Sequence, residues 1–484
     1  MRASSYIIYS KVPQSTKTLM LHGYTGALDL VDDSIAKFLQ QSRLQIKGDP
    51  LTIMSPETFR RLRSRGYLTE MSYDEERAYF IRIARALHHA ARATHFAPLI
   101  IPTYACNLRC FYCYQDHLHN ESNELFRLER IRVIRQDMVD AAFEAIEKLR
   151  PPASQNAPVS LGLYGGEPFI AINRPIVEYI IRRAREQGYS VGAVTNASEL
   201  AAYYDLLGPD GVAGMQVTLD GARRNHDCRR IYSDGRGTYE VIVNNVTEAL
   251  RRGVRVTIRI NVDRNNVADL PELTRRFVEY GWTTFPGFSA YVAPLYSSNV
   301  AHVKEALTQA ELADYLYTIR DQLAYPLNSS QKMSQLSTFA QLLGMNGGKS
   351  VNPFHTGVCS AVYGMYIFDP YGDVYTCWDE AGNVEHRVGT YGKGNIELKP
   401  ELISAWFDRS VAEIEQCSQC AYALVCGGGC AYFAAEEKGT YYASYCDHFQ
   451  RNFRQTMVRT VVRVQRGEGL CEISAPAPSG PVCI

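Results

Sequence analysis

The sequence holds no run of about 18 consecutive apolar residues, so no helical membrane span is expected. Its opening stretch, Met1 to Tyr9, lacks the apolar core of an export signal, and the cytoplasm is the expected location. There is no excess of either charge: 51 Lys and Arg balance 51 Asp and Glu. No global field therefore draws nucleic acid or anionic lipid, and neither is an expected partner. No internal repeat emerges beyond an alternation of strand and helix patterns. What is present is a globular composition, 46% apolar and 21% charged, over 484 residues. That length exceeds one ordinary core, so two or three domains are expected.

Cysteine, in contrast, is plentiful and bunched. Of 13 cysteines, three sit at 106, 110 and 113, and seven more at 359, 377, 417, 420, 426, 430 and 446. Cys228, Cys471 and Cys483 stand apart. In a reducing compartment, clustered thiols are metal ligands or catalysts more often than disulfides.

Along the chain, residues 1–95 read as a small separate unit. Tyr6–Tyr9 and Thr18–Leu21 alternate like short strands, with turns at Gly23 and Gly26. Ser34–Leu39 reads as helix, and Ser55-Pro56-Glu57 is a capped helix start closed by Gly66. Strands followed by short helices suggest a winged-helix-like domain, and 75–92 continues as helix. The run Arg60, Arg61, Arg63, Arg65 suits either DNA or a solvated helix face.

Residues 96–300 alternate strands and helices. Candidate strands are Leu99–Tyr104, Val159–Tyr164, Ser190–Thr195, Gly214–Leu219, Arg255–Asn261 and Phe288–Val292. Ile131, Ile134, Met138, Ala142, Ile146 and Leu149 share one helical face. Six such units predict an α/β fold, a partial (β/α)6 barrel with chemistry at the C-terminal ends of its strands. Residues 301–351 read as a helical linker, and 352–450 as a glycine- and cysteine-rich region that metal holds together. Residues 451–484 read as a helix and a disordered tail.

Cys106-Asn-Leu-Arg-Cys110-Phe-Tyr-Cys113 follows the first barrel strand. Three thiolates on a [4Fe–4S] cubane leave one iron open, whereas structural zinc wants four protein ligands. His117 or His119 completing a Cys₃His zinc site is the competing reading. The spacing, with Tyr112 before the last cysteine, resembles the radical SAM superfamily. That resemblance implies an open iron that binds S-adenosylmethionine (SAM) and cleaves it to a 5′-deoxyadenosyl radical. It also implies that Gly165-Gly166-Glu167-Pro168 receives the SAM ammonium. Thr195, Asn196, Gln216, Thr218, Asp220, Arg259 and Asn261 then fall at strand ends suited to ribose and carboxylate contacts. His226-Asp227-Cys228-Arg229-Arg230 resembles a His-Asp-x-x-Arg stretch of members with extra clusters.

The later cysteines resemble the SPASM extension of peptide-modifying radical SAM enzymes. The resemblance implies one auxiliary cluster on Cys417, Cys420, Cys426 and Cys446, and another on Cys359, Cys377 and Cys430, making three [4Fe–4S] clusters in all. Asp369-Pro370-Tyr371-Gly372-Asp373 reads as a hairpin turn between Cys359 and Cys377. The second cluster lacks an evident fourth ligand, which leaves an open iron or closure by Cys228 or His355. Where sulfatase-maturing members carry an Asp base, this sequence has Trp378, with Asp379 one further.

The implied activity is radical modification of a ribosomal precursor peptide, as a thioether or carbon–carbon cross-link. The alternatives are sulfatase-type maturation of a protein Cys or Ser, and peptide backbone excision or decarboxylation. An iron–sulfur DNA regulator is the alternative outside enzymes. The implied partners are a leader peptide held by residues 1–95 and an electron donor such as flavodoxin or ferredoxin.

Overall fold

A computed structural model describes residues 1–115, 132–155, 157–295, 305–342 and 353–465. Ile131, His117, His119, Cys471, Cys483 and the tail 472–484 lie outside the described residues. Two compact units emerge. The first gathers the described residues of 1–92, 331–362 and 408–465; the second gathers those of 93–330 and 363–407.

The first unit begins with five short strands: β1 (Arg2–Ala3), β2 (Ile7–Lys11), β3 (Lys17–His22), β4 (Leu28–Asp32) and β5 (Leu68–Thr69). Strands β2, β3 and β4 form an antiparallel sheet, and β1 pairs with β5. Helices α1 (Asp33–Gln41), α2 (Pro56–Ser64) and α3 (Tyr73–Thr94) follow. Ser55 caps α2 by accepting the Thr58 amide, with Pro56 pre-set in the first turn.

Alternation along the strands buries both faces of the sheet. Ile7 and Met20 pack with Phe38, Leu39, Leu62 and Tyr67. Ile8, Leu19 and Leu21 face the other way, against Phe339, Tyr422, Val425, Phe449 and Phe453. Tyr6 stacks on Phe80, with ring centroids 4.6 Å apart, and donates to the Ser418 carbonyl at 2.6 Å. Cys417 lies in that same apolar cluster. The cysteine-rich segment therefore has more than metal to order it, because the N-terminal sheet and α3 supply an apolar partner. Three of the four arginines of the basic run meet carboxylates: Arg61 and Arg65 pair with Asp29, and Arg63 with Glu70.

The second unit is built on a ten-stranded sheet. Strands β6 (Ala97–Ile100), β7 (Ser160–Leu163), β8 (Ser190–Thr195), β9 (Val212–Thr218), β10 (Arg255–Val262) and β11 (Phe288–Pro294) run parallel in chain order. This is an α/β core of the partial-barrel type. Helix Gln136–Leu149 buries Ala142 and Ile146 of the expected face, but Met138 and Leu149 are only half-buried, and Val139 and Phe143 share the core instead. The first strand is shorter than its apolar run. Pro102 has no amide to donate, and the Thr103 hydroxyl takes the Ala105 amide instead.

Beyond β6 the sheet gains β12 (Met365–Phe368), parallel to β6, then antiparallel β13 (Asp373–Tyr375), β14 (Gly389–Gly392) and β15 (Asn395–Leu398). The β12–β13 turn is closed by Asp369, whose Oδ1 accepts the Tyr371 and Asp373 amides, and by Gly372 at φ +89°. Residues 352–450 are thus divided: Cys359 and Cys430 belong to the first unit and Cys377 to the second. Among the described residues, no helix is long and apolar enough to cross a membrane.

A buried polar knot closes the N-terminal sheet. Arg2 and Glu76 pair at 2.7 Å with almost no exposure. Ser4 Oγ donates to Glu76 and lies 3.0 Å from His22 Nε2. His22 Nδ1 accepts the Thr25 amide at 3.3 Å, so the proton sits on Nε2. Burial depresses this imidazole from 6.5 to about 4. A His held neutral contributes stability that is complete above the unfolded value and lost as the unfolded chain takes up a proton. Stability to urea is expected to fall as pH drops from about 6.5 towards about 4. His22→Asn should flatten that slope, and an unchanged slope in the variant would contradict the assignment.

Candidate cofactor site

The chain leaves β6 and turns past the parallel strand ends, carrying Cys106, Cys110 and Cys113. Its path is set by a backbone-to-backbone seam with the loop after β7. The Gly166 amide donates to the Thr103 carbonyl at 3.1 Å, and the Glu167 amide to the Ala105 carbonyl at 2.9 Å. A Cβ on Gly166 would lie 2.2 Å from the Tyr104 oxygen and 2.3 Å from that of Ala105. One on Gly165, at φ +133°, would lie 2.5 Å from the Thr103 oxygen. Glycine is required here because two chain segments touch, which is a stronger constraint than a turn.

Glu167 continues the seam to the next strand. Its buried carboxylate accepts from Thr195 Oγ1 and the Asn196 amide, both at 2.6 Å, and from the Phe169 amide at 2.9 Å. Burial raises its pKa to about 7 against the pull of those donors. Asn196 Nδ2 donates to Asn107 Oδ1 at 3.0 Å and approaches Cys106 Sγ at 3.8 Å, while the Leu108 amide reaches that sulfur at 3.4 Å. Pro168 contributes its carbonyl to Asn173 Nδ2 at 3.1 Å.

On the other side, Tyr112 is held by a buried ionic network. Its hydroxyl donates to Asp220 and accepts from Arg230 Nη1 at 2.8 Å. Asp220 also accepts the Asn261 amide at 3.0 Å. Arg229 pairs with Asp263 at 2.7 Å, both nearly fully buried. His226 Nδ1 accepts the Asp220 amide, and its Nε2 lies 3.0 Å from Thr238 Oγ1, which donates to the Arg230 carbonyl. Burial holds this imidazole well below its ordinary pKa, so it stays neutral in that relay. Asp227 accepts the Thr238 and Tyr239 amides. The His-Asp-x-x-Arg stretch therefore clamps Tyr112, and with it the cysteine loop. Arg229, Arg230 and Asp263 had no assigned role in the sequence, because their partners lie far away in the chain.

Of the remaining strand-end residues, Gln216 accepts from the Tyr291 hydroxyl at 2.8 Å. Thr218 stands beside Arg259 in the β9–β10 register. Arg259 Nε donates to Asn261 Oδ1 at 2.8 Å. Cys377, just past β13, and Cys113 both act electrostatically on the Tyr164 phenol, which precedes Gly165. Trp378 packs edge-on against that ring, with centroids 4.4 Å apart. Cys228 is exposed on the short helix Arg223–Arg229.

In the first unit, Cys417, Cys420, Cys426 and Cys446 come together: Cys426 feels the charge of the other three. Gly427, Gly428 and Gly429 all have positive φ, and a Cβ on Gly429 would lie 1.7 Å from the Tyr445 oxygen. His355 is turned to the carbonyls of Cys426 and Pro353, and burial lowers it to about 4.

The donor sets suit iron–sulfur clusters. Burial pushes the Cys106 and Cys417 thiols up to about 12, so they ionise only beside a strong positive charge, which bound iron provides. Among the described residues, no three His, Cys, Asp or Glu side chains converge as ligands of a single metal ion do. A cubane takes each thiolate at its own iron corner.

A family model, the Radical SAM superfamily, matches residues 100–277, the span that carries the three thiols, the glycine seam and the Tyr112 clamp. Residues 100–277 are a radical SAM domain. The chain is 26% identical over 342 residues to the mycofactocin maturase MftC of Mycolicibacterium smegmatis, covering 68% of this chain and 76% of that protein. It is 20% identical to the cysteine-type anaerobic sulfatase-maturating enzyme of Clostridium novyi, covering 73% and 92%. The solved structure of anSMEcpe with bound AdoMet and a Cp18Cys peptide has the same fold at a TM-score of 0.52 and 16% identity, covering 77% of this chain and 99% of that one.

The seam yields a direct test. Gly166→Ala should displace the backbone leading to Cys106 and lower the iron retained after anaerobic reconstitution. Gly192→Ala, whose Cβ meets nothing nearer than 3.7 Å, should retain full iron. Equal iron in the two variants would contradict the seam's role.

Proposed function

We propose that this enzyme uses SAM at a cluster on Cys106, Cys110 and Cys113 to modify a residue within a peptide or protein. The observation that carries the reading is the loop itself: three thiols, not four, at the ends of parallel strands, locked by glycine contacts and a buried clamp. Bound SAM and the cluster supply the radical that removes hydrogen from substrate. The chain's own residues hold and orient. Asn196 and the Leu108 amide direct N–H groups to Cys106 Sγ. The Gly165 and Gly166 carbonyls and the lone pair left on Glu167 Oε2 are the proposed ammonium contacts. Thr218, Gln216, Arg259 and the neighbouring Thr195, Asn196 and Asp220 are the proposed surroundings of ribose and carboxylate.

Cys417, Cys420, Cys426 and Cys446 are proposed to hold one auxiliary cluster. Cys359, Cys377 and Cys430 are proposed as further iron ligands. The winged-helix-like residues 1–95 are proposed to receive the leader of the substrate. Strand β4 supports this: it pairs only with β3 among the described strands and is half-exposed, so a peptide can add as a strand. A flavodoxin or ferredoxin is the proposed electron source.

Among finer readings, maturation of a residue in another protein has more support than a cross-link, since a sulfatase-maturating enzyme is among the relatives and anSMEcpe shares the fold. Trp378 stands where those enzymes place an Asp, so Asp379, whose charge reaches Tyr164, is the proposed base for that reading. The test is anaerobic incubation of enzyme, SAM and dithionite with two peptides: the small peptide encoded beside the gene, and a Cys- or Ser-bearing sulfatase segment. The expected result is 5′-deoxyadenosine formation together with a mass change in one peptide. SAM cleavage that leaves both peptides unchanged would contradict the substrate class.

A further inference from the structure

Arg409 is fully buried, and among the described residues no carboxylate pairs with it. Its Nε donates to the Tyr441 carbonyl, and its Nη2 to the carbonyls of Gly428 at 3.3 Å and Ala443 at 3.1 Å. Nη1 is buried with no hydrogen-bond partner. Carbonyl dipoles do not neutralise a buried cation, so a counter-charge is missing.

The surroundings identify it. Gly428 is the middle of the three glycines between Cys426 and Cys430, and a Cβ built on it lies 3.6 Å from Cys417 Sγ. Burial works against the charge of the guanidinium, and the groups that favour that charge when ionised are Cys430, Cys359, Cys417 and Cys426, in that order. A guanidinium bonded to the centre of a cysteine turn, with both N–H groups of Nη1 unused and thiols around it, is placed to face an anionic cluster. A guanidinium stays protonated at any working pH, so its charge is permanent.

We propose that Arg409 is the fixed counter-cation of the auxiliary iron–sulfur centre in this unit, and that it raises that centre's reduction potential. The inference rests on the auxiliary-cluster reading above. Reduction adds one electron and one negative charge to the cluster while the guanidinium keeps its proton, so attraction to Arg409 favours the reduced form. Hydrogen bonds and net charge around cluster sulfurs set such potentials. The competing role is mechanical: Arg409 could merely tie Tyr441, Ala443 and Gly428 together.

The test uses the full chain with Cys106, Cys110 and Cys113 replaced by Ala, so that only auxiliary iron remains. Its potential is read by electron paramagnetic resonance during dithionite titration. Arg409→Gln is expected to shift the one-electron reduction equilibrium at least tenfold towards the oxidised form, about 59 mV. Arg409→Lys, which keeps the charge, should shift it less. Loss of iron in the Gln variant but not the Lys variant supports the same role. Three results would overturn it: an unchanged potential in an iron-replete Gln variant, equal shifts in both variants, or equal loss of iron in both. Absence of iron from the starting triple variant would overturn the auxiliary-cluster reading and the Arg409 role with it.

Discussion

A thiol sunk in protein gives up its proton only where a cation offsets the cost of burial. Cys106 and Cys417 are each pushed to about 12, by burial first and then by neighbouring negative groups, other cysteines among them. Crowded thiols of this kind would otherwise be a poor way to fill a core. With iron present the same crowding becomes useful, because metal charge and thiolate charge cancel out of contact with water. Much of the remaining architecture keeps those sulfurs crowded in a set geometry.

The two units meet that demand by different means. In the second, the cysteine loop is short and irregular, so its neighbours fix it. The glycine seam binds it to the loop after β7, Glu167 binds that loop to the end of β8, and the Asp220–Arg230–Tyr112 network anchors its far side. In the first, the short helices Glu415–Ser418, Ala423–Cys426 and Ala431–Lys438 carry or flank the cysteines, and apolar packing does the fixing. Tyr6, Phe80 and Leu424 enclose Cys417, and the second face of the N-terminal sheet meets Tyr422, Val425 and Phe453. That sheet carries the half-exposed β4 strand on its edge, so the proposed peptide-receiving element and Cys417, Cys420, Cys426 and Cys446 share one folded body.

Local patterns in the sequence were readable where local rules decide. Strand β8 matches its predicted bounds, and α2 starts at its Ser55 cap. The Asp369–Gly372 turn forms where Pro, Gly and Asp cluster. Legibility failed where partners are distant. The parallel pairing of β12 with β6 joins residues more than 250 positions apart, and nothing in Met365–Phe368 signals it. Strands β14 and β15 have four residues each, β14 with two glycines and β15 with only Ile396 and Leu398 as apolar signal. The cysteines could be grouped by spacing and Arg230 by its His-Asp-x-x-Arg stretch, but the bond of Arg230 to Tyr112 and the places of Arg409 and Asp263 could not be read at all. An arginine that bonds carbonyls or a remote tyrosine looks like any surface arginine until the fold buries it. Glu167 was legible as a motif residue, yet its ties to Thr195 and Asn196 emerge only from the strand order.

The central claim is that the thiols at 106, 110 and 113 hold a cluster with an open iron, distinct from the centres held by the later cysteines. The most direct measurement is electron paramagnetic resonance of the reduced, iron-replete protein with and without SAM. The account predicts that SAM changes one component of the spectrum, and that this component is missing when Cys106, Cys110 and Cys113 are replaced by Ala while the others persist. A spectrum indifferent to SAM, or a SAM-dependent change that survives those three replacements, would contradict it.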